Sequence, residues 1–435
     1  MQKICLSLPT NRACAATVSA LIEEAGYAAD TFAVEVHVLI LDSSDEATFA
    51  RHAEAASGAR PDVIVHHLNE SAQRDLLSRT VRGADVSDPD RLLDLMLPDG
   101  VAYGACTNRA FLFSSALGCA SIHRRDSDSR YQELGGRKIF PIQHELGTLG
   151  KRAIDAADAV SETDLDLSHA HQPVVLAGAS FVGEMSVDID EIRQLDPEVY
   201  YDVVGLWAPS RASAAERRAL VDESFLGAEN ATFTKDRATL TVVDPMHVDM
   251  CNIAFHSVHE QLPLPPAKQT IGSDYFLFHV IRHAALPGVH HNRHIVNYYT
   301  PERRTPDGFV DYQTRLVKFF LSMPYLHHVY DAMAKAGKEL VRDRASLDVA
   351  RIAGFVRESM LLSTEENAGK LDEIDRAYRK LGGKYERLAD LLSGQRRQLI
   401  DAAVRDMDDF AFLIDNWRSL VRSARSAGVL QPAGT

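Results

Sequence analysis

The sequence lacks any run of about 18 consecutive apolar residues, the length that a membrane-spanning helix needs. Its first residues, MQKICLSLPTNR, hold too short an apolar stretch for a signal peptide. Positive charge is also scarce, because 47 lysines and arginines face 61 aspartates and glutamates and leave a formal charge of −14. A protein with this net charge binds polyanions poorly, so we expect no nucleic-acid partner. Because a long apolar run and a signal peptide are both missing, we expect no integral membrane position and a cytoplasmic location.

Cysteine pairs and glycine-rich loops are missing as well. The first predicted strand is followed by Pro9, Thr10, Asn11 and Arg12 instead of GxGxxG, which excludes a Rossmann dehydrogenase. The same loop lacks the glycines with which a sugar-nucleotidyltransferase holds a triphosphate, so that function becomes an alternative of low weight. Five widely spaced cysteines without a CxxC pair favour reduced thiols: Cys5, Cys14, Cys106, Cys119 and Cys251.

The first third of the chain alternates short β-branched runs with longer helical stretches, which is typical of a doubly wound α/β domain. We predict strands at residues 3–8, 34–42, 62–68 and 119–124, and helices at residues 14–25, 46–57, 70–81 and 105–117. In open α/β sheets, ligands bind beyond the carboxyl ends of the strands. The polar residues that follow these four strands should therefore share one crevice.

The rest of the chain divides into three parts. Residues 131–172 are polar and are expected to form a loop or lid, and the apolar runs at 174–178, 199–207 and 239–244 are expected to extend the sheet. Beyond about residue 305, apolar residues recur with helical spacing. The predicted organisation is a catalytic domain at 1–304 and a helical C-terminal region at 305–435, which could serve as a homodimer contact.

Two aspartates one residue apart follow the fourth predicted strand. Asp126 and Asp128 end the segment NRAFLFSSALGCASIHRRDSD. Positions i and i+2 of an extended chain point to the same side, so both carboxylates can face the crevice. Such hard oxygen ligands suit Mg²⁺ or Mn²⁺ carrying a diphosphate, where the ion acts as a Lewis acid on the leaving group. A solvated acidic turn is the alternative interpretation.

The order of these parts resembles that of metal-dependent GT-A glycosyltransferases, family-2-like members with a DxD motif. The similarity rests on strands ending in LPTNR and LDSS, on a helix opening with Thr107-Asn108-Arg109, on Asp126-Ser127-Asp128, and on the later turn Gly272-Ser273-Asp274. By this resemblance, the nucleoside and its phosphates would lie near Pro9, Thr10, Asn11, Arg12, Asp42, Asn108, Arg109 and Asp126. Asp128 would hold the metal, and Asp274 would be the base that meets the acceptor.

Each of these roles has a structural alternative. Asp42 and Asp274 could cap helices, and Arg109 could pair with a surface acid. The resemblance also implies a late histidine as metal ligand, which would be one of His290, His291 and His294, and an Asp/His set leans toward Mn²⁺. A zinc hydrolase with His290 and His294 on one helix is disfavoured, because Pro287-Gly288 and a β-branched run flank them.

These observations predict a glycosyltransferase of α/β, GT-A-like fold with a helical C-terminal extension. It would move a sugar from a nucleoside-diphosphate sugar to a soluble, small-molecule acceptor, with a divalent metal at the diphosphate. A sugar-nucleotidyltransferase and an inactive nucleotide-sugar-binding scaffold of the same fold are the alternatives, since a fold alone does not fix a function.

Overall fold

The computed structural model describes residues 1–228, 231–301 and 305–427. The strands are β1 (Lys3–Thr10), β2 (Glu35–Asp42), β3 (Val63–Leu68), β4 (Ser121–Arg125), β5 (Ser129–Tyr131), β6 (Glu133–Leu134), β7 (Arg137–Lys138), β8 (Glu162–Asp164), β9 (Leu176–Gly178), β10 (Phe181–Gly183), β11 (Ala238–Thr241), β12 (Asn252–His256), β13 (Gly288–His291), β14 (Ile295–Asn297), β15 (Val341–Asp343) and β16 (Ser346–Leu347).

The α-helices alternate with these strands in the first half and dominate the second. They are α1 (Ala15–Phe32), α2 (Glu46–Ala56), α3 (Glu70–Gly83), α4 (Pro89–Met96), α5 (Tyr103–Ala116), α6 (Ile142–Thr148), α7 (Ala153–Ala156), α8 (Asp190–Leu195), α9 (Pro197–Gly205), α10 (Ala214–Glu223), α11 (Val258–Gln261), α12 (Phe276–His283), α13 (Pro306–Ala336), α14 (Val349–Ser359), α15 (Glu365–Leu381), α16 (Gly383–Gly394) and α17 (Arg396–Ala427).

The main sheet has the strand order β3-β2-β1-β4-β12-β9-β13-β11-β8. Strands β1 to β4 are mutually parallel, β12 enters antiparallel between β4 and β9, and β13 runs parallel to β9. A second, small sheet has the order β10-β14-β5. Because β1 to β4 are parallel, their carboxyl ends meet at one edge, and the amino end of the antiparallel strand β12 lies at that edge too.

The first four strands lie within two residues of the predicted positions at each end. Side chains of β1 and β2 are buried almost throughout, as expected for central strands that helices cover on both faces. Helices α2 and α3 begin where Asp45 and Asn69 accept hydrogen bonds from backbone N–H groups of the first turn. The predicted fold class, an α/β domain followed by a helical C-terminal region, is confirmed.

Two expectations about local structure are wrong. The run at 199–207 forms helix α9, because Asp196 caps its first turn and Pro197 occupies the first helical position. Residues 131–172 hold several short helices and strands, with Ile142 and Glu145 fully buried, so this part of the chain is not a single loop. The runs at 174–178 and 239–244 do enter the sheet, as β9 and β11.

The C-terminal helices pack directly on the α/β part. Helix α17 lies against α3 and α5, and α13 packs on α12, α14 and α17. One cluster of buried apolar side chains includes Ile122 of the sheet together with Phe320 and Trp417 of the C-terminal region. The division into domains at residue 305 stays a prediction. Within the described ranges, no helix combines the length and apolarity needed to cross a bilayer.

Candidate functional site

A cavity of about 780 Å³ opens at the carboxyl ends of β1 and β4. Helices α5, α12 and α13 and the segment that leads into β12 form its other walls. Eight residues proposed from the sequence line it: Pro9, Thr10, Asn11, Arg12, Arg109, Asp126, Asp128 and Asp274. Five others do not: Asp42, Asn108, His290, His291 and His294. The loop after the first strand, the aspartate pair and the later turn therefore belong to one site.

Arginines pair with the aspartates of this cavity. Arg12 Nη1 lies 2.7 Å from Asp128 Oδ2, and both side chains are largely buried. Arg124, in β4, lies 3.0 Å from Asp126 and 3.7 Å from Asp274. A buried guanidinium thus stands between the DxD segment and the proposed acceptor-binding turn. Arg124 Nε is buried and has no hydrogen-bond partner among the described residues.

Burial raises the pKa of Asp126 to about 6, against the opposing charge of Arg124. Three neighbouring aspartates act in the same direction as burial: Asp128, Asp249 and Asp274. Burial also raises the pKa of Asp274, again against the charge of Arg124. Crowded carboxylates of this kind lose repulsion when a proton or a cation joins them. The polar end of the cavity is therefore suited to receive positive charge or to accept a proton.

The turn that carries Asp274 is fixed by its neighbours. Gly272 has φ +68°, and a Cβ there would lie 2.7 Å from the ring of Phe319, so this position requires glycine. The N–H of Gly104, in α5, donates to Ser273 Oγ at 3.2 Å. Asp274 lies inside a 3₁₀ turn, Ser273–Tyr275, and Tyr275 is the residue that precedes α12. Asp274 therefore does not cap that helix.

Asp249 belongs to the same site, although it was not among the candidates from the sequence. It lines the cavity, accepts a hydrogen bond from the Tyr275 hydroxyl, and accepts another from the N–H of Cys251 at 2.9 Å. Only the topology could have identified it. Strand β12 pairs antiparallel with β4, Asn252 opposite Arg125, so residues just before β12 lie beside those just after β4.

Asp42 is held away from the cavity by histidines. His52 Nδ1 lies 2.7 Å from Asp42 Oδ2, and His67 Nε2 lies 2.9 Å from the same oxygen. Burial opposes ionisation, but hydrogen bonds from His67, Ser44 and His52 prevail and lower the pKa of Asp42. The expectation that Asp42 contacts the nucleoside is not supported by this geometry. Asp45, not Asp42, caps α2.

Histidine, cysteine, aspartate and glutamate are the side chains considered as metal ligands. Within the described ranges, Asp42, His52 and His67 are the one group of three of them whose ligand atoms lie within 4.8 Å of one another. A metal does not fit there. The N–H of Cys14 donates to His52 Nε2 at 2.9 Å, so the ring carries its proton on Nδ1 and gives it to Asp42. A ring nitrogen that bears a proton has no lone pair for a metal, and the group is a hydrogen-bonded support for the ends of β2 and β3.

Asn108 and Arg109, adjacent in α5, have different surroundings. The Asn108 amide donates to the carbonyl of Leu264 and accepts from its N–H, both at 2.8 Å, so it anchors the 262–267 segment. Arg109 donates to Gln73 at 2.9 Å and reaches the cavity wall. Because both polar atoms of the Asn108 amide are bonded to the backbone of Leu264, this side chain has no group free to bind phosphates. Arg109 remains a candidate, since it lines the cavity.

None of the three late histidines lines the cavity that holds the aspartate pair. His290 is opposite Gly178 of β9, Gly178 is opposite Ile253 of β12, and Ile253 is opposite Arg124 of β4. Three strand spacings amount to roughly 14 Å. His291 stacks on His144, and His294 accepts from the N–H of Ser180 at 3.2 Å. The structure therefore does not support any of the three as a ligand beside Asp126 and Asp128.

The far end of the cavity is apolar. Trp207 stacks on Phe225 with ring centroids 5.1 Å apart, and it meets Phe319 edge to face at 5.6 Å. Phe319 packs under the Gly272 turn, next to Asp274. Met323 and Leu326 of α13 line the cavity beyond it. One cavity thus joins a charged end to an aromatic and aliphatic end, with Asp274 between them.

The chain belongs to the family described as "Family of unknown function (DUF6271)", whose model matches residues 2–433. No curated protein sequence matches it. Two solved structures, each 14% identical, are similar to it. One is a mycobacterial protein, with a TM-score of 0.35 and coverage of 76% of this chain and 74% of that chain. The other is the mannosyltransferase PcManGT from Pyrobaculum calidifontis in complex with GDP-Man and Mn²⁺, with a TM-score of 0.34 and coverage of 93% and 86%.

Proposed function

We propose that this member of the DUF6271 family is a glycosyltransferase, which moves a sugar from a nucleoside-diphosphate sugar to a hydroxyl group of an acceptor. One observation carries the proposal. A single cavity at the carboxyl ends of β1 and β4 is lined by the loop after β1, by Asp126 and Asp128 after β4, and by Asp274. Its position agrees with where open α/β sheets bind ligands.

The charged groups of the cavity suit a departing diphosphate. Arg12, Arg109 and Arg124 line it, and a guanidinium binds phosphate oxygens in bidentate fashion. In the free protein, Arg12 pairs with Asp128. A diphosphate that enters the site would form an ion pair with Arg12 in place of Asp128. The carboxylate of Asp128 could then bind a cation.

The carboxylates are compatible with a divalent cation, whereas the histidines are not. Asp126 and Asp128 offer hard oxygen donors, and burial, together with the nearby charge of Asp128, raises the pKa of Asp126. With Asp249 nearby and phosphate oxygens supplied by the donor, they would hold Mg²⁺ or Mn²⁺ without an imidazole. When bound, such an ion neutralises the charge that develops on the leaving diphosphate.

Asp274 is the group proposed to meet the acceptor. Its carboxylate takes the proton of the acceptor hydroxyl as the oxygen bonds to the anomeric carbon, and the bond from that carbon to the diphosphate breaks, leaving its electron pair on the diphosphate. Burial raises the pKa of Asp274, which brings it closer to the working pH of a base. The positive charge of Arg124, 3.7 Å away, opposes that rise.

The deciding experiment is a binding panel of UDP, GDP, TDP, ADP and CDP, each with and without Mn²⁺ or Mg²⁺, by calorimetry and thermal shift. A ligand at a hundred times its Kd stabilises the folded state by about 2.7 kcal/mol. We expect one diphosphate to bind in a cation-dependent manner, and Asp128→Ala to abolish that dependence. Asp158→Ala, an exposed residue outside the cavity, serves as the matched control.

Incubation with the corresponding nucleotide-sugar then tests turnover, because slow hydrolysis releases the same diphosphate. If no nucleotide binds in any condition, the glycosyltransferase proposal is wrong. Binding without sugar transfer to any acceptor, in a protein with Asp274 intact, would favour the alternative of a nucleotide-sugar-binding scaffold.

A further inference from the structure

The cavity continues past Asp274 along one face of α13. Six of the α13 residues that line it recur at three- or four-residue intervals and form one helical stripe: Tyr312, Arg315, Phe319, Met323, Leu326 and Tyr330. Gly308, Asp311 and His327 of the same helix line it as well. From Tyr312 to Tyr330 the helix rises about 27 Å at 1.5 Å per residue. The part of the cavity beside α13 is therefore long, and Asp274 lines the same cavity.

The wall of this space is mainly apolar between Phe319 and Tyr330. His327 also lines the cavity there, and burial lowers its pKa to about 3, so its ring carries no charge at neutral pH. Phe319, Met323 and Leu326 line the cavity and are only 6%, 3% and 5% exposed, so these side chains are almost completely buried. His279 stacks on Tyr330 with centroids 3.8 Å apart, and burial lowers the pKa of His279 to about 3. That ring is uncharged at neutral pH. A polyhydroxylated ligand would leave many hydroxyl groups here without partners, which is costly.

We infer that the acceptor is an alcohol with an extended apolar body, which lies along α13 from Trp207 and Phe319 toward Leu326 and Tyr330, with its hydroxyl at Asp274. The inference rests on the proposed function and names its acceptor class. The aromatic group Trp207, Phe225 and Phe319 holds the part of the acceptor closest to the reacting hydroxyl. The aliphatic residues beyond it bind the rest by burying apolar surface.

The chain carries its own reporter for this site. It has two tryptophans, of which Trp417 is fully buried and donates its indole N–H to the carbonyl of His259. Trp207 lines the cavity. Acrylamide added to the folded protein will therefore quench Trp207, and a ligand seated in the apolar part will protect it.

The test titrates a series of n-alkanols from hexanol to dodecanol into the full-length protein and follows acrylamide quenching. We expect protection, with affinity increasing about fourfold for each added methylene while the chain fits the space. Phe319→Ala should weaken all members of the series. Met323→Phe keeps the wall apolar but shortens the space, so it should weaken dodecanol and leave hexanol unchanged. Leu361→Ala, at a residue 86% exposed, is the control.

Methyl α-mannoside, tested in the same way, represents a sugar acceptor. Protection by the mannoside and not by the alkanols would overturn the inference, and so would alkanol affinities that do not change in Phe319→Ala and Met323→Phe. Nucleoside-diphosphate binding is measured on the same samples. If the nucleotides bind and the alkanols do not, the acceptor class is wrong and the transferase proposal stands, whereas the absence of nucleotide binding defeats the proposed function by itself.

Discussion

Arg124 and Arg125 are adjacent in β4, yet they belong to different kinds of structure. Successive side chains of a strand point to opposite faces of the sheet. Arg125 donates from all three guanidinium nitrogens, to Glu24, to Glu145 and to a backbone carbonyl, and is 1% exposed. Arg124 faces the cavity, where one of its nitrogens has no partner among the described residues.

Glu145 and Asp126, which lie on opposite faces of β4, have pKa values shifted in opposite directions. Burial opposes ionisation of Glu145, but the charge of Arg125 and a hydrogen bond from His123 prevail, and its pKa is lowered. On the other face, burial prevails and the pKa of Asp126 is raised. The buried set around Arg125 supports the fold, whereas the carboxylates beside the cavity, with a raised pKa, mark a place where a ligand could bind.

The largest effect is expected from Arg125→Met. This change leaves Glu24 and Glu145 buried without their cation, which costs about 3 to 5 kcal/mol of folding free energy. Chemical denaturation followed by circular dichroism measures the loss. Arg124→Met should lose clearly less, because its carboxylate partners border a cavity that water can enter. Equal losses would show that the two faces of β4 are not different in kind.

Arg124→Met should instead weaken binding of the nucleoside diphosphate by roughly ten- to a hundredfold, the value of about 1.5 to 3 kcal/mol for hydrogen bonds to charged groups. Calorimetry on the nucleotide found by the panel gives the dissociation constant. Arg152→Met, at an exposed arginine away from the cavity, is the matched control. An unchanged constant would remove Arg124 from the site.

Charge removal should have opposite signs on the two faces. At pH 7.5 we expect Asp126→Asn to stabilise the protein by about 1 to 2 kcal/mol and Glu145→Gln to destabilise it. A raised pKa in the folded state means that stability is lost as pH rises through it. The advantage of Asp126→Asn should therefore grow between about pH 4 and 6 and then level off.

Thermal unfolding of both variants and the wild type from pH 4 to 8 measures this difference. For Glu145 the pH dependence is reversed, because its pKa is lower in the folded state than in the unfolded state. The stability that this carboxylate contributes is present above its pKa in the unfolded state and is lost in acid. If Asp126→Asn lowers the melting temperature throughout, the carboxylate is a structural group and the contrast between the faces fails.

The smallest effect on stability is expected from Arg12→Gln. Its pair with Asp128 is partly open, with side chains 20% and 11% exposed, so it is worth less than about 1 kcal/mol. The free energy of diphosphate binding should fall by more than the free energy of unfolding does. A melting temperature lowered as far as that of Arg125→Met would instead make Arg12 part of the fold.

Much of the α/β part could be predicted because its strands are short, β-branched and bounded by polar residues. Asp126, Asp128 and Asp274 were found because they follow local patterns, a strand end and a glycine turn. Helix α9 was mistaken for a strand, although Asp196-Pro197 is a helix start signal that the sequence already contains. A short apolar run alone does not distinguish the two.

The errors in the site have a different origin, since they depend on partners far away in the chain. Asp42 meets His52 and His67, and Asn108 meets Leu264, 156 positions later. His290 and His291 lie in β13, which β12 and β9 separate from β4, and His294 lies just before β14 of the second sheet. Neither spacing nor residue type carries such information, which arises only when the sheet order is known.

Helix α13 has one side in the cavity and the other against α14 and α17. Substitutions along its cavity-lining stripe would alter which molecules fit, while Arg12, Asp126 and Asp128 would remain untouched. Under the proposed function, relatives of this protein could therefore differ in their acceptors while the residues at the donor stay the same. The helical C-terminal region is where such differences would arise.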